Sequence, residues 1–198
     1  GPHGIPRHVV SGIQRDRLLR AMARTVAEFG YQETTVRRLL ARAGLSRRTY
    51  YELFEDKEEC FLAAYDEVAE HVMALVEEAF AAGDGPEDRI ERALRAYLGF
   101  WAQEPDIARM CVVEVLAAGP AARARRAAAT DRFAELLAEP LLELRGDRRL
   151  SELSARGLVG GVQELIYGPI DAGQTEGLAD LAEAVVASQV APLALLET

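Results

Sequence analysis

Apolar residues recur at three- and four-residue spacing along almost the whole chain, and no stretch shows the period-two alternation of a half-buried strand. Leu18, Met22, Val26 and Phe29 form the first stripe, which Gly30 closes as a helix C-cap would. Thr34-Thr35 offers an N-cap to a short helix carrying Leu39, Leu40 and Ala43, and Gly44 stops it. Ser46 can cap a third helix that reaches Leu53. Asp56-x-x-Glu59 has the form of a capping box opening a long fourth helix, with Phe61, Tyr65, Val68, Val72 and Leu75 on its apolar face. Pro86 followed by Glu87 and Asp88 reads as the first turn of a fifth, carrying Ile90, Leu94, Tyr97, Leu98 and Trp101. Pro105 starts a sixth helix, expected to run to Gly119-Pro120. A seventh covers Ala121 to about Leu144, with a bend or break expected at Pro140. Ser151 opens an eighth that ends near Gly168-Pro169, and Leu178, Leu181, Val185 and Val190 mark a ninth. The pattern predicts an all-α protein of about nine helices.

Composition narrows the class. Hydrophobic residues make up 49% of the 198, enough for a sizeable core. No apolar run approaches the roughly 18 residues of a membrane span, so no membrane partner is expected, and the lack of an export signal points to the cytoplasm. Residues 1–12 are expected to be a flexible arm or a scar of tag removal. Cys60 and Cys111 lie inside helical apolar patterns, which reads as buried reduced thiols. His3, His8 and His71 show no ligand spacing, so no metal and no cofactor is expected.

The charge pattern changes the picture more. The net charge of −9 argues against a polyanionic partner until it is divided along the chain. Residues 1–54 carry ten arginines against Asp16, Glu28, Glu33 and Glu52, a balance of +6, and the remainder carries −15. That asymmetry lets the first segment face a polyanion while the rest is repelled by it. The switch falls near Lys57, the only lysine, and divides the chain into residues 1–56 and 57–198.

TTVRRLLARAGL (34–45) followed by SRRTYYELF reads as two short helices joined through Gly44, a residue that tolerates the left-handed backbone of a tight turn. A helix-turn-helix uses such a pair to lay its second helix in the DNA major groove. Burying Val36, Leu39, Leu40, Tyr50 and Leu53 leaves Arg37, Arg47, Arg48, Thr49 and Tyr51 outward, and arginines there can fork onto guanine O6 and N7.

GLSRRTYYELFEDKEECFLA (44–63), preceded by TTV and by a helix ending in FGY, resembles the tetracycline-repressor (TetR) family over roughly residues 14–65. The resemblance implies a homodimer of nine or ten helices per chain, the first three binding double-stranded DNA and the rest binding a small-molecule inducer. It implies a phosphate contact at Thr35, base reading at Arg37, Arg47, Arg48 and Thr49, a backbone or base contact at Tyr51, and a phosphate contact at Lys57. Arg48 stands where the family commonly has glycine, and Leu53 where it commonly has histidine or tyrosine.

The resemblance places an inducer pocket among helices four to eight. Tyr97, Trp101, Met110, Phe133 and Tyr167 supply large groups there, and Glu114 and Gln163 interrupt apolar faces as ligand-orienting residues would. For Glu114 the expected partner is a protein arginine such as Arg109, in a structural salt bridge, ahead of a cationic ligand group. Leu158, Val162 and Leu165 on helix eight, with Leu181, Val185 and Gln189 on helix nine, would form a two-fold four-helix bundle with a second copy. These readings converge on a DNA-binding regulator, a repressor released from a palindromic operator by a largely apolar molecule. The competing classes are a helical protein-interaction module and an all-α enzyme. For the latter no phosphate loop, metal cluster or Ser/His/Asp set is found.

Overall fold

The computed structural model describes residues 7–194, and among them it contains helices and no strand. The helices are α1 (Arg7–Glu33), α2 (Val36–Ala43), α3 (Arg47–Leu53), α4 (Lys57–Ala81), α5 (Pro86–Gln103), α6 (Pro105–Ala108), α7 (Pro120–Arg145), α8 (Arg148–Asp171) and α9 (Leu181–Val185). Residues 1–6 of the expected N-terminal arm lie outside the described residues. From Arg7 the chain is already α1, so 7–12 are helical rather than an arm.

Local signals fix the N-terminal elements as the sequence predicts. Gly30 breaks α1 with φ 77° and ψ 160°. The Thr35, Ser46 and Asp56 side chains accept from the amides of Arg38, Thr49 and Glu59, capping α2, α3 and α4. The expected capping box is shifted by one residue, because the Glu59 carboxylate accepts from the Glu55 amide. Gly44 closes α2 in the left-handed region at φ 64°, and its amide donates to Leu40.

The later elements depart from expectation in three places. The sixth helix keeps α geometry only over its first turn, then widens into a π turn (Arg109–Val113) and a 3-10 turn (Glu114–Leu116). Pro140 does not interrupt α7, which runs through it as one helix. The eighth helix starts at Arg148, three residues before Ser151, because the Asp147 side chain accepts from the Leu150 amide, and it passes Pro169 to end at Asp171. Past α9 the chain continues through a π turn (Val186–Val190) to Ala191–Ala194.

One core runs through both halves. Leu18, Met22 and Val26 of α1 pack with Leu39, Tyr50 and Phe61, and the same cluster extends to Leu94, Leu98, Phe133 and Ile166. α4 lies against α1 on one side and α5 and α7 on the other, so a displacement of α4 is felt at both ends. No helix among the described residues is long and apolar enough to cross a membrane.

Cys60 and Cys111 are buried and unpaired. Burial pushes the Cys60 thiol up to about 12 and raises that of Cys111 as well. Both are therefore expected to react with a thiol reagent at pH 8 at least about a hundredfold more slowly in the native protein than in the unfolded chain. Mass spectrometry of timed alkylation reads this, and rapid native labelling of either residue would contradict the burial.

The six residues expected to meet a second copy divide. Leu158, Val162 and Val185 are buried in the chain's own core, because the apolar stripe of α8 is consumed by α7 and by the π turn after α6, and α9 packs against α5. They are not available to a partner. Leu165, at 47% exposure, and Gln189 face outward, and Leu181 is half-buried. The outward face of α8 instead carries Leu153, 67% exposed, followed by Gly157 and Gly160, where an added Cβ would meet no atom within 4 Å.

Candidate functional site

Two regions gather the candidate residues. In the first, α2 and α3 are held to α1 from behind. Leu39 and Ala43 bury one face of α2, and Tyr50 buries one face of α3. The Tyr50 hydroxyl donates to the Asp56 carbonyl at 2.8 Å, and burial raises its pKa, so it stays neutral and locks α3 to the start of α4. Arg17 of α1 donates to the Ala43 carbonyl at 2.6 Å and steadies the turn.

That leaves Thr35, Arg37, Arg47, Arg48 and Tyr51 exposed and Thr49 half-buried. Arg47 lies over the Tyr51 ring, 5.5 Å from its centroid, which restrains both side chains. Arg48 is 89% exposed and pairs with Glu52 at 2.8 Å. Thr35 and Thr49 are engaged locally: Thr35 caps α2, and the Thr49 hydroxyl lies 2.9 Å from that of Ser46. Leu53 is half-buried rather than wholly inside, and Phe54 takes the core position beyond it.

Lys57 differs from the sequence expectation. Its ammonium donates to the Tyr31 carbonyl at 2.8 Å and lies 4.1 Å from the Tyr31 ring centroid. Desolvation lowers its pKa. The lysine ties the start of α4 to the end of α1 instead of standing free at the surface.

The other side of the same corner is held by Glu114. Its carboxylate accepts from the Tyr31 amide at 2.8 Å and pairs with Arg109 at 3.6 Å. A Cβ on Gly30 would sit 3.4 Å from that carboxylate, so the glycine serves both the positive φ and the close approach. Arg109 also reaches the Asp171 side chain at 3.2 Å. The π turn is what permits this. Residues five apart point about 140° away from each other on an α-helix, whereas a π turn closes on that spacing and brings Arg109 and Glu114 together.

The second region is a cavity bounded by α4, α5, α7, α8 and the π turn after α6. Tyr97, Trp101, Phe133 and Gln163, all expected there, line it together with Met73 and Arg126. Three other expected residues do not. Met110 faces a separate cleft beside α1, Glu114 is spent on the Tyr31 corner, and Tyr167 packs half-buried against the core. The free space is about 50 Å³, far below the roughly 300–1,000 Å³ of small-molecule sites. Burial pushes the Tyr97 phenol up to about 12, so it is neutral at physiological pH.

Sequence reasoning missed Arg126, which donates to the Gln163 side-chain oxygen at 2.6 Å. Gln163 in turn donates to Thr130 at 2.7 Å, and Thr130 donates to the Arg126 carbonyl at 2.9 Å. Arg126 sits in an alanine- and arginine-rich run, ARARRAAAT, where neighbouring arginines face solvent, so only the helical phase set by packing distinguishes it.

Residues 18–64 match the family model of bacterial regulatory proteins of the tetR family. The chain is 29% identical over 124 residues to the HTH-type transcriptional regulator BetI of Stenotrophomonas maltophilia, an alignment covering 54% of this chain and 63% of that protein, so it spans less than two thirds of that relative's length. Among solved structures, the fatty acid degradation regulator FadR of Bacillus halodurans superposes with a TM-score of 0.80 at 18% identity, covering 90% of this chain and 95% of that one. FadR of Bacillus subtilis, solved in complex with stearoyl-CoA, gives 0.76 at 17% identity over 89% and 97%. The N-terminal segment, residues 18–64, thus carries the motif of the tetR family of bacterial regulatory proteins, and the all-helical fold is shared along nearly the whole chain with the two FadR structures.

Proposed function

We propose that this chain is a ligand-responsive DNA-binding transcriptional regulator of the cytoplasm and not an enzyme. It acts as a homodimeric repressor released from a palindromic operator by a small, largely apolar molecule. Residues 1–56 bind DNA, and residues 57–198 bind the ligand and dimerise. The observation that carries the reading is the outward face of Arg37, Arg47, Arg48 and Tyr51 on two helices whose opposite faces are locked into the core. Such a face suits the major groove, and its basic charge suits the phosphates beside it.

The dimer surface follows from what the core leaves exposed. Leu153, Gly157, Gly160 and Leu165 of α8 lie outward, and small residues allow close helix approach in a two-fold bundle. Two copies would present two recognition helices at half-sites about one DNA turn, or a multiple of it, apart.

The cavity supports release by a wedge. At about 50 Å³ it is too small for a ligand as it stands, so binding must spread α4 from α7 and α8. α4 carries Lys57, bonded to the Tyr31 corner at the end of α1, and the spreading therefore reaches the DNA-binding helices. By linkage, ligand and operator weaken each other's binding by the same factor.

The test is fluorescence anisotropy of labelled DNA from upstream of the chain's own gene, titrated with protein at several salt concentrations. Binding should weaken steeply as salt rises, because each phosphate contact releases counterions. No affinity for that DNA or for a randomised duplex pool would leave a protein-interaction module as the better reading.

A further inference from the structure

The cavity wall has one charged side chain, Arg126, and no carboxylate. The guanidinium is half-buried and pairs with no Asp or Glu among the described residues. Its one side-chain partner there is the neutral Gln163 oxygen. That oxygen is fixed in place, since the amide nitrogen of Gln163 is committed to Thr130. A guanidinium has five N–H donors in a planar fork, and partial burial raises the cost of leaving them short of acceptors.

A second donor in the same wall is unsatisfied. The Trp101 indole Nε1–H is buried with no hydrogen-bond partner, although the residue is 5% exposed. The Tyr97 phenol lies beside the indole as a potential acceptor, but the contact falls short of hydrogen-bond geometry and leaves the N–H unsatisfied. The wall is thus rich in donors and one positive charge, with its remaining surface apolar and aromatic. A cationic ligand would meet like charge and no counter-ion.

We propose that the ligand of this cavity is an anion with an apolar body, its carboxylate or phosphate oxygens held by Arg126 and the Trp101 N–H and its chain packed among Met73, Tyr97 and Phe133. This rests on the regulator reading only in calling the bound molecule an effector. Arg126 is the specificity-determining residue: it selects the anionic head, and Gln163 and Thr130 position it. Met73, with an unbranched and adaptable side chain, is the part of the wall that yields when the cavity widens.

Trp101 is the only tryptophan in the chain, so its emission reports directly on this cavity. The probes are decanoate, decyl phosphate, decanol and decyltrimethylammonium, titrated below their aggregation limits into the full-length protein. Decanoate, decyl phosphate or both should change the emission saturably and bind at least tenfold more tightly than decanol, with the ammonium probe weakest. Decanoate has one methylene fewer in its chain than decyl phosphate, worth about fourfold in affinity, so a ratio well beyond that tells which head fits. Arg126→Gln should weaken the anions at least tenfold and leave decanol unchanged, and Arg126→Lys should restore part of the difference. Circular dichroism melts check that each variant is folded, and if Arg126→Gln does not fold, the wild-type ranking of the four probes still decides.

Equal or tighter binding of decanol or of the ammonium probe, anion affinity unchanged in Arg126→Gln, or no anion binding at millimolar concentration would each overturn the proposal. Operator binding is measured in parallel. DNA binding without anion preference removes this inference and leaves the regulator, whereas anion preference without DNA binding does the reverse.

Discussion

Replacing Arg47 and Arg48 together by alanine is expected to weaken operator binding by about thirtyfold or more while leaving the fold intact. Each arginine that forks onto a guanine is worth about 1–3 kcal/mol of discrimination, so two give roughly 2–6 kcal/mol. Both side chains are exposed, and surface substitutions of this kind change stability by only about 0.5 kcal/mol. The single variants should not be equal. Arg47 is braced over the Tyr51 ring, whereas Arg48 must first exchange its partner Glu52. Its exposed ion pair is worth little, but the carboxylate beside it repels phosphate. Arg47→Ala should therefore cost more than Arg48→Ala, and Glu52→Gln should raise affinity for any duplex without sharpening sequence preference. Anisotropy on operator and scrambled DNA separates these effects. Wild-type affinity in the double variant would mean that α3 does not read the operator.

The N-terminal half was legible because its signals are local. A cap, a left-handed glycine and a stripe of apolar residues each act within one or two turns, so Thr35, Gly44, Ser46 and Asp56 behave as their sequence positions say. The family motif lies in the same segment, and there a short match carries much. The cavity was half legible. Tyr97, Trp101, Phe133 and Gln163 follow from helical phase on regular helices, but Met110 and Glu114 sit on a turn that leaves α geometry, and a period of 3.6 residues misplaces whatever follows it. Arg126 was invisible for the opposite reason: its helix is regular, yet its run of alanines and arginines has no apolar stripe to show which arginine turns inward. The dimer face failed on a third ground. An apolar stripe says that a face is buried, not whether the covering surface belongs to the same chain, and for Leu158, Val162 and Val185 it does.

Glu114→Ala is expected to lower stability by about 1–3 kcal/mol, the cost of leaving a poorly solvated donor without its acceptor, and to loosen the link between the two halves. The carboxylate is 12% exposed, accepts from the Tyr31 amide and faces Arg109, so its removal orphans an amide and takes one of two anions from a guanidinium. In a chain of this length each kcal/mol lowers Tm by about 2–4 °C. Glu114→Gln keeps an acceptor but no charge and should recover most of the stability. The two variants differ further in what they do to the corner. Tyr31 is held through its amide by Glu114 and through its carbonyl by Lys57, and the end of α1 sets where α2 and α3 sit. With alanine the Tyr31 amide should exchange with solvent at least about tenfold faster, and operator affinity should fall although residue 114 is remote from the exposed arginines. With glutamine both should stay near wild type. Hydrogen exchange and anisotropy on the same preparations decide the point. If Glu114→Ala lowers Tm but leaves Tyr31 protected and operator affinity unchanged, Glu114 is a stabilising contact only, and movement of α4 must reach the DNA-binding helices through Lys57 alone.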